Sequence, residues 1–531
     1  MLDSNNVLEL ERRPSAEPAR TLRAGLPVLA ALVLATLVVT IDNTVLNVAL
    51  PSIARDLDAS TSQLQWVVNA YSLLFGGLLL TGGSLADRLG RRRVLLGGLT
   101  AFACASLLVL SVSSAEGLIA VRAVTGACAA FLMPSTIALL YRSFEGPARA
   151  TAVGIAGAAG ALGFVLGPLI GGALLEVFAW QAVFVVNVPL AAVAGVVAWR
   201  AIPRDAPPRV RPGGAGAAPA DLLGTALSLG AMLGLVAALV DGPDHGWLSA
   251  AVLGPAAGSL LCGLSFVRWE LRAAHPMLDV RAVARRAVAG PGVVQMGLML
   301  AISGSLFLIT QQLQVVMGYS PIEAGVRSSP IAVGVIGGGA LLSVVSRWWG
   351  AAWAAALGML GCSVAIAGVA LALPHGGYWP LAAGLLVFGA GVRMVITPAA
   401  LAVLGGLPDE AAGIGAALAD TFQEIGGALG VALLGSVFNE VYRHDLPAGA
   451  PGVARASVQG AVSLGDAGLA GAARGAFASG AQVALLVCAG ILAAAAVLAR
   501  LTIPDDLDLS EEGADPVDGG RAEDDLKAYA Y

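Results

Sequence analysis

The chain has 531 residues, of which 57% are hydrophobic and only 12% are charged, and its net charge is −5. Soluble domains carry about 25% charged residues, so a soluble core could not enclose this much apolar side chain. The composition argues against a disordered chain, a nucleic-acid binder and a secreted disulfide scaffold, and it predicts a polytopic helical membrane protein. The 69 glycines agree with this class, since small residues let helices approach closely in lipid.

Fourteen apolar segments reach the length of about 20 residues that a helix needs to cross a bilayer. The predicted spans are 26–48, 64–86, 94–113, 117–139, 150–176, 180–201, 221–241, 248–270, 287–312, 323–345, 353–373, 379–404, 411–440 and 480–503. We expect an all-α membrane protein in which spans one to six and nine to fourteen form two six-helix bundles. Spans seven and eight are then an inserted pair.

The organisation predicted from these spans has five parts. They are a cytoplasmic N-terminal tail (1–25), a first six-helix bundle (26–201), a linker with the inserted helices (202–270), a second six-helix bundle with an extracellular loop at 441–479 (271–503), and an acidic cytoplasmic tail (504–531). Most arginines outside the spans lie in the loops of one side, which marks that side as cytoplasmic. We therefore expect a multi-pass protein of a bacterial cytoplasmic membrane, with both termini inside.

Cofactor and metal chemistry find no support in the sequence. The five cysteines lie singly in apolar runs, without metal-ligand spacing, and predict neither a metal site nor a disulfide. We find no catalytic dyad and no Gly-x-x-x-x-Gly-Lys loop for nucleotide phosphates. We expect no enzyme and no cofactor, and an ion gradient as the energy source.

A patterned loop, Gly83–Arg93, connects spans two and three. Gly83 permits close helix contact and Gly90 a tight turn. Asp87 can face a helix N-terminus, where the dipole favours an anion. The arginines that can bond acids or carbonyl ends of the opposite half are Arg88, Arg91 and Arg92. We expect this loop to take part in conformational gating; the alternative is a basic loop that only sets topology.

The fifth span carries glycines at three- and four-residue spacing on one helix face, with a proline among them. These residues are Gly163, Gly167, Pro168, Gly171 and Gly172. A smooth, bent face lets two bundles slide or seal. We expect a gating role here too, and the alternative is ordinary small-residue packing.

These motifs resemble the signatures of the major facilitator superfamily, in particular its fourteen-helix drug:proton antiporter family of the multidrug and quaternary-ammonium efflux type. The loop Gly83–Arg93 is similar to the signature between helices two and three, and Gly163–Gly172 to the antiporter motif of helix five. Further matches are Asp42–Pro51, Arg122, Gly126, Met133, Pro134, Trp180, Phe184, Asn187, Pro189, Gln314, Gly318–Pro321, Ala324 and Gly325. The second copy of the loop motif, Ser346–Gly350, lacks its acid, so a symmetric latch is not expected.

The resemblance covers about residues 25–440 and implies alternating access with proton-coupled efflux of lipophilic drugs, cations in particular. Its partners would be small-molecule substrates, protons and the lipid bilayer, with no nucleic acid, and we expect a monomer. One alternative is a dedicated exporter of a self-made antibiotic or metabolite. Another, of a different class, is a non-transporting membrane sensor with the same fold.

Two charged residues near the outer ends of their spans predict a buried pair. A charge at the bilayer centre costs about 3 kcal/mol or more, so each needs a reason. Asp42 and Arg122 both lie roughly 8–9 Å deep at 1.5 Å per residue, so a contact is allowed. We expect a proton-sensitive pair whose protonation at Asp42 frees Arg122; the alternative is a static ion pair that fixes packing.

Span thirteen carries two acids, Asp420 and Glu424, four residues apart and hence on one helix face. They lie roughly 13–20 Å deep, on either side of the midplane. Two ionised acids so placed repel each other, which favours proton exchange and binding of a cation. By the family resemblance, acids here are typical of members that export organic cations. The alternative is neutralisation by Arg393 of span twelve.

Side chains that we expect to line a cavity between the halves complete the candidate substrate site with Asp420 and Glu424. They are Tyr71, Phe75, Met133, Phe164, Gln311, Gln312 and Phe422. For each of them, plain helix packing is the alternative.

Overall fold

A computed structural model of the chain describes residues 22–205, 221–273, 278–375, 377–407 and 412–507. This described part is built from α-helices joined by short connections. The predicted tails fall largely outside it, namely residues 1–21 and 508–531, and so does most of the predicted linker, 206–220.

The first bundle contains six long helices. They are α1 (Leu22–Asp56), α2 (Thr61–Leu89), α3 (Arg91–Leu107), α4 (Ala115–Ser143), α5 (Gly146–Val177) and α6 (Asn187–Ala201), and a short helical turn, Ala182–Val185, precedes the last. Ser60 begins α2 with a reciprocal cap, in which the Ser60 side chain accepts from the Gln63 amide and the Gln63 side chain accepts from the Ser60 amide.

Eight further long helices follow. They are α7 (Leu222–His245), α8 (Ala250–Glu270), α9 (Arg286–Gln311), α10 (Pro330–Trp349), α11 (Ala351–Ala372), α12 (Tyr378–Gly405), α13 (Ala412–Asp445) and α14 (Ala467–Thr502). The predicted tenth span is divided, because a separate helix, Pro321–Arg327, precedes α10. A π-helical turn, Gln312–Val316, extends α9.

The fourteen-helix, all-α prediction is confirmed. Thirteen helical segments of the described chain are long and apolar enough to cross a membrane. The fourteenth is α5, a continuous helix of 32 residues with apolar stretches at Thr151–Gly160 and Leu166–Val177.

Helix α14 begins at Ala467, well before the position near 480 that hydropathy predicts. Asp466 caps it by accepting hydrogen bonds from the amides of Gly468 and Leu469. The early turns are rich in alanine, the best helix former, but not apolar enough to resemble a span. The predicted loop 441–479 is therefore partly helical, with two short helices, Gly452–Ala456 and Val458–Ser463, between α13 and α14.

The helices pack as two bundles, which we call the N half (α1–α6) and the C half (α9–α14). In the N half, α2 packs on α4 and α1 on α5, and in the C half α9 packs on α13 and α11 on both α12 and α14. Helix α7 packs on α8 and also touches α2 and α13, one helix from each half. Only 6% of the apolar stretch of α8 is buried inside the protein, so α8 forms the outer member of the inserted pair.

The largest hydrophobic core of the described chain is shared by the two halves and joins them at one end. We call this the arginine-poor end; the opposite, arginine-rich end carries Arg88–Arg93 and Arg200. The largest core joins the later turns of α1, from Ile41 to Ala54, to side chains of α9, α11, α12 and α14. The earlier turns of α1, from Val28 to Val39, belong to a separate core within the N half. The halves are therefore sealed together at the arginine-poor end.

Candidate functional site

Asp42 and Arg122 form the ion pair that their depth in the sequence predicts. Arg122 Nη1 lies 2.7 Å from Asp42 Oδ2, and neither side chain is more than 1% exposed. The second carboxylate oxygen of Asp42 accepts a hydrogen bond of 2.6 Å from Asn187 Nδ2. Arg122 Nε also donates to the carbonyl oxygen of Val67 at 3.3 Å. The pair thus joins α1, α2, α4 and α6 in the centre of the N half.

An aromatic ring supports the guanidinium of this pair. The Arg122 guanidinium carbon lies 4.2 Å from the centre of the Tyr71 ring, within the range of a cation–π interaction. Tyr71 is fully buried and its ring lies 5.6 Å from that of Phe75. These two predicted lining residues are therefore packing neighbours of the ion pair in this conformation.

Asp420 and Glu424 lie in the first half of α13, which packs against α2, and both are half-buried. A Cβ atom placed on Gly76 of α2 would lie 2.7 Å from Glu424 Cβ, so the two helices touch at this level. Ser72 of α2 is a hydrogen-bonding neighbour of the Glu424 carboxylate. The sequence-predicted acids thus lie at the contact between the N half and the C half.

Arg393, the basic residue that the sequence offers as a partner for these acids, bonds within its own helix. Its Nη1 atom donates to Thr397 Oγ1 at 3.2 Å on the same helix. Its Nε lies 3.9 Å from the position of a Cβ on Gly339, so the side chain is directed towards α10. Among the ion pairs of the described residues, none joins Arg393 to Asp420 or Glu424.

The remaining predicted lining residues are dispersed. Phe422 lies against α9, where its ring would meet a Cβ on Gly292. Gln311 and Gln312 are both buried, and Gln311 Nε2 donates to the Phe307 carbonyl of its own helix at 3.1 Å. Met133 is half-buried. The side chain of Phe164 lies outside the described part of the structure.

The loop between α2 and α3 turns at Gly90, whose φ of +98° is a backbone conformation that side chains other than glycine rarely adopt. Asp205, just after α6, supplies the anion at the N-terminus of α3. Its carboxylate accepts from the backbone amides of Arg92 and Arg93 at 3.2 and 3.1 Å. The sequence predicts this kind of contact for Asp87, whose side chain lies outside the described part.

The arginines of this loop bond carbonyl groups of their own half. Arg91 Nη1 donates to the Ala138 carbonyl of α4 at 3.0 Å, and Arg92 Nη2 donates to the Trp199 carbonyl of α6 at 2.6 Å. The sequence-based expectation placed such contacts on the opposite half. Gly83 lies beside Pro134 of α4. The loop therefore ties together the arginine-rich ends of α2, α3, α4 and α6.

The glycine face of α5 meets two different surfaces. Cβ atoms on Gly163, Gly167 and Gly171 would collide with side chains of α1. These are Thr40, Thr44 and Val45, respectively. Thr44 Oγ1 also donates to the Gly163 carbonyl at 3.2 Å.

The neighbouring face of α5, at the same level of the helix, meets the C half. A Cβ on Gly172 would lie 2.6 Å from the Ile322 α-carbon, and one on Gly325 would lie 2.5 Å from the Pro168 carbonyl oxygen. The predicted smooth face thus packs the N half internally and also seals it against the C half at the arginine-poor end.

Sequence reasoning missed the roles of three residues in this site. Asn187 hydrogen-bonds the second carboxylate oxygen of Asp42; the sequence marks it as a match to a family motif but not as a partner of Asp42. Asp205 lies more than 110 residues from the amides that it caps. Gly76 follows an ordinary run of small and apolar residues, and only the three-dimensional contact shows what it faces.

Comparison with known proteins identifies the family to which this fold belongs. The family model of the Major Facilitator Superfamily matches residues 32–431. The multidrug efflux pump LfrA of Mycolicibacterium smegmatis is 35% identical over 505 residues, which cover 92% of this chain and 98% of LfrA. The methyl viologen resistance protein SmvA of Salmonella typhimurium is 34% identical over 451 residues, covering 82% of this chain and 87% of SmvA.

A solved structure shows the same fold. A bacterial homologue of the human lysosomal transporter Spinster aligns with a TM-score of 0.65 at 19% identity, over 92% of this chain and 98% of that chain. The chain belongs to the major facilitator superfamily. The resemblance to its fourteen-helix drug:proton antiporter family is confirmed, and so is the prediction of an efflux transporter. The family and the structural neighbours are transporters, and the protein is a multi-pass membrane protein.

Proposed function

We propose that this protein is a proton-coupled antiporter that exports lipophilic cations by alternating access. Its substrate and its protons compete for the carboxylates of Asp420 and Glu424. We place it as a monomer in a bacterial cytoplasmic membrane, with both termini in the cytoplasm, no resident cofactor and a proton gradient as the energy source. The relatives named for multidrug efflux and for methyl viologen resistance support this substrate class.

The observation that carries the proposal is the position of the two acids. They lie in the first half of α13, which packs on the N half, and the described residues place no basic partner in an ion pair with either of them. An acid without such a partner in lipid is expensive when ionised, so it favours either a proton or a bound cation. One carboxylate cannot hold a proton and a cation at the same time. Binding of one therefore releases the other, which is the basis of exchange.

The Asp42–Arg122 pair connects this exchange to the N half. Arg122 lies within electrostatic range of Glu424 and holds the backbone of α2 at Val67. Loss of the negative charge at Glu424 would remove an attraction on Arg122 and strengthen its relative hold on Asp42. We propose that this change biases the position of α2 against α13, and that Asp42 and Arg122 are coupling residues for this reason.

The alternating openings follow from the two ends of the molecule. We take the arginine-rich end as cytoplasmic. The seal at the arginine-poor end, where Gly172 meets Ile322 and Gly325 meets Pro168, then closes the outer side. In this arrangement the binding region opens to the cytoplasm. The loop at Gly90, held by Asp205 and the two arginine contacts, keeps the N half rigid while the outer seal opens.

The test uses purified protein in vesicles with an imposed pH gradient. Methyl viologen, an organic dication, and a fluorescent cationic dye serve as probes. We expect both cations to move against the direction of proton flow, and Glu424→Gln to abolish this movement. Glu176→Gln, on an exposed acid at the end of α5, is the matched control and should transport as the parent does. Cation movement that ignores the gradient would overturn the proposal.

The second candidate is a dedicated exporter of a self-made antibiotic or metabolite. It shares the fold and the gates, and differs in the substrate that the acids accept. An assay in which several unrelated cations fail to move, while one neutral or anionic compound is exported, would favour it. A protein that binds cations but moves none would instead be a sensor.

A further inference from the structure

Helix α2 carries a row of buried polar side chains that the transport cycle described above does not use. Ser62, Gln65, Asn69 and Ser72 recur at spacings of three and four residues, which places them on one helix face. Gly76 continues the same face by one turn. Each of the four polar side chains is at most 6% exposed. The row ends at Glu424, because Ser72 and Gly76 both contact that acid.

The two amides in the middle of the row have no protein partners. Gln65 and Asn69 are 0% exposed, and within the described chain neither side-chain oxygen nor side-chain nitrogen of either residue makes a hydrogen bond. An unsatisfied buried amide typically costs several kcal/mol, so such groups are held by water in most proteins. Two of them on successive turns form a polar strip about 6 Å long at 1.5 Å per residue.

The face of α13 opposite the strip consists of small or apolar residues, and none of their side chains can hydrogen-bond the two amides. Glu424 lies opposite Gly76 and Gly435 lies opposite Gln65, so the two helices run antiparallel in one register. That register places Asn69 opposite Val431 and Ser72 opposite Ala428. Apart from Val431, this face of α13 presents glycine and alanine to the amides. The Gln65 side chain fits between the helices because position 435 has no side chain, and a Cβ there would collide with its amide.

The arginine-poor end of the row opens at a partly exposed carboxylate. Ser62 Oγ donates to Asp244 Oδ2 of α7 at 2.6 Å. Asp244 is 23% exposed and forms an ion pair with Arg443 of α13. Asn439 of α13 is buried beside it, and its side-chain oxygen also has no partner in the described structure. Polar groups thus continue from the surface to the level of Glu424.

We propose that Ser62, Gln65, Asn69 and Ser72 line a water-filled path between α2 and α13, by which Glu424 exchanges protons with the outside once the cytoplasmic opening has closed and before the outer seal opens to substrate. Water is the ligand of this site, since it satisfies amide oxygen and nitrogen alike and needs two to four polar partners. Protons and substrate then take separate routes, because a narrow path between packed helices admits water but not a drug-sized cation. This inference rests on the proposed function, since it supplies the protons that the antiporter needs.

The test separates proton delivery from substrate movement. The full-length protein in vesicles is measured in two ways with the same fluorescent cationic dye. One rate is dye movement driven by a pH gradient. The other is dye counterflow at equal pH on both sides, which needs substrate binding and alternating access but no proton delivery. The variants are Asn69→Leu and Gln65→Met, which keep side-chain volume and remove the amide.

We expect each variant to lower the gradient-driven rate about tenfold and to leave counterflow within about twofold of the parent. Asn69→Ser, which keeps a polar group, should recover most of the gradient-driven rate. Gln295→Met is the matched control, because Gln295 of α9 is also 0% exposed with an unpartnered amide in the described chain but lies off the row. It should change neither rate.

Two results would overturn the path. One is a parental gradient-driven rate in both variants, and the other is a parallel fall of both rates, which would assign the amides to helix packing. If one variant fails to fold, the other carries the same comparison. A parent protein that shows counterflow but no response to the gradient would overturn the proposed function instead.

Discussion

The α-carbon of Gly76 on α2 faces the Cβ of Glu424 on α13 so closely that any side chain at position 76 would meet the acid, at 2.7 Å for a methyl group. The contact joins the N half to the C half at the level of the two acids. It also holds Glu424 against the backbone of α2, where Ser72 is a hydrogen-bonding neighbour. A glycine and an acid thus fix the distance between the halves where we propose exchange.

The first prediction concerns this contact. Gly76→Ala should push α2 from α13 and lower the free energy of unfolding by about 1–3 kcal/mol, the usual cost of overpacking. Gradient-driven transport should fall as well, because the carboxylate is displaced. Thermal unfolding in detergent and dye efflux measure the two effects.

Gly97→Ala provides the comparison for that variant. A Cβ at position 97 of α3 would have nothing within 4 Å, so alanine should stabilise the helix by about 0.5–1 kcal/mol. Equal behaviour of the two alanine variants would contradict the assigned contact.

The second prediction concerns pH and substrate affinity. If the cation binds ionised Glu424, a proton competes with it, so dye affinity should increase as the pH rises and decrease as it falls. Glu424→Gln should weaken binding and remove the pH dependence of the affinity. Asp420→Asn should reduce that pH dependence. Dye fluorescence polarisation in detergent measures the affinity. Parental pH dependence in both variants would exclude these acids from the binding site.

The third prediction separates the two interpretations of the Asp42–Arg122 pair. Asp42→Asn leaves the Arg122 charge buried without its acid and should cost about 3–5 kcal/mol of stability. The double variant Asp42→Asn with Arg122→Gln should recover most of that loss, which thermal unfolding reports. For coupling residues, the double variant still lacks gradient-driven transport. For a static pair, it transports like the parent.

The fourth prediction concerns Asp205. Asp205→Ala removes the acceptor for the Arg92 and Arg93 amides and should destabilise the protein by about 1 kcal/mol, as loss of a helix cap does. Asp205→Asn keeps an oxygen acceptor and should cost less. Asp506→Ala, at an exposed acid near the end of the described chain, should have no effect on the melting temperature. An unchanged melting temperature in Asp205→Ala would show that the cap contributes no stability.

The fifth prediction concerns the outer seal. Gly325→Ala places a methyl group against the Pro168 carbonyl and should favour the open arrangement of the arginine-poor end. Spin labels on the outer ends of α5 and Pro321–Arg327 should then show a longer distance in pulsed spectroscopy. Gly337→Ala, where a Cβ meets nothing within 4 Å, should keep the parental distance. An unchanged distance in Gly325→Ala would contradict a seal at this contact.

Hydropathy and charge suffice to predict the helices and the buried charges. Asp42 and Arg122 interrupt apolar runs at equal depth, which allows the contact that the structure shows. Asp420 and Glu424 are visible for the same reason. The boundary of α14 is less predictable, because alanine supports a helix in water and in lipid alike, so hydropathy fails to find the start at Ala467.

The contacts between distant helices are the part that one sequence does not reveal. Which residue of α2 faces Glu424 depends on the rotation and register of two helices that are more than 300 residues apart in sequence. Asp205 has no motif of its own, and it caps α3 only because the end of α6 returns to that point. Phe422 looks like a cavity residue beside Asp420 and Glu424, yet its position on the helix turns it towards α9.

The placement of α7 has a consequence for the neighbouring lipid. Leu73 of α2 and Ala428 of α13 pack with Val236 and Val240 of α7 in one small cluster, at the level just beyond Glu424. Helix α7 thus covers the interface between the halves, and the acyl chains of the bilayer contact α8 instead. A twelve-helix version of this chain, cut at the inserted pair, would expose that joint to hydrocarbon and let the bilayer compete with the contacts that hold the acids.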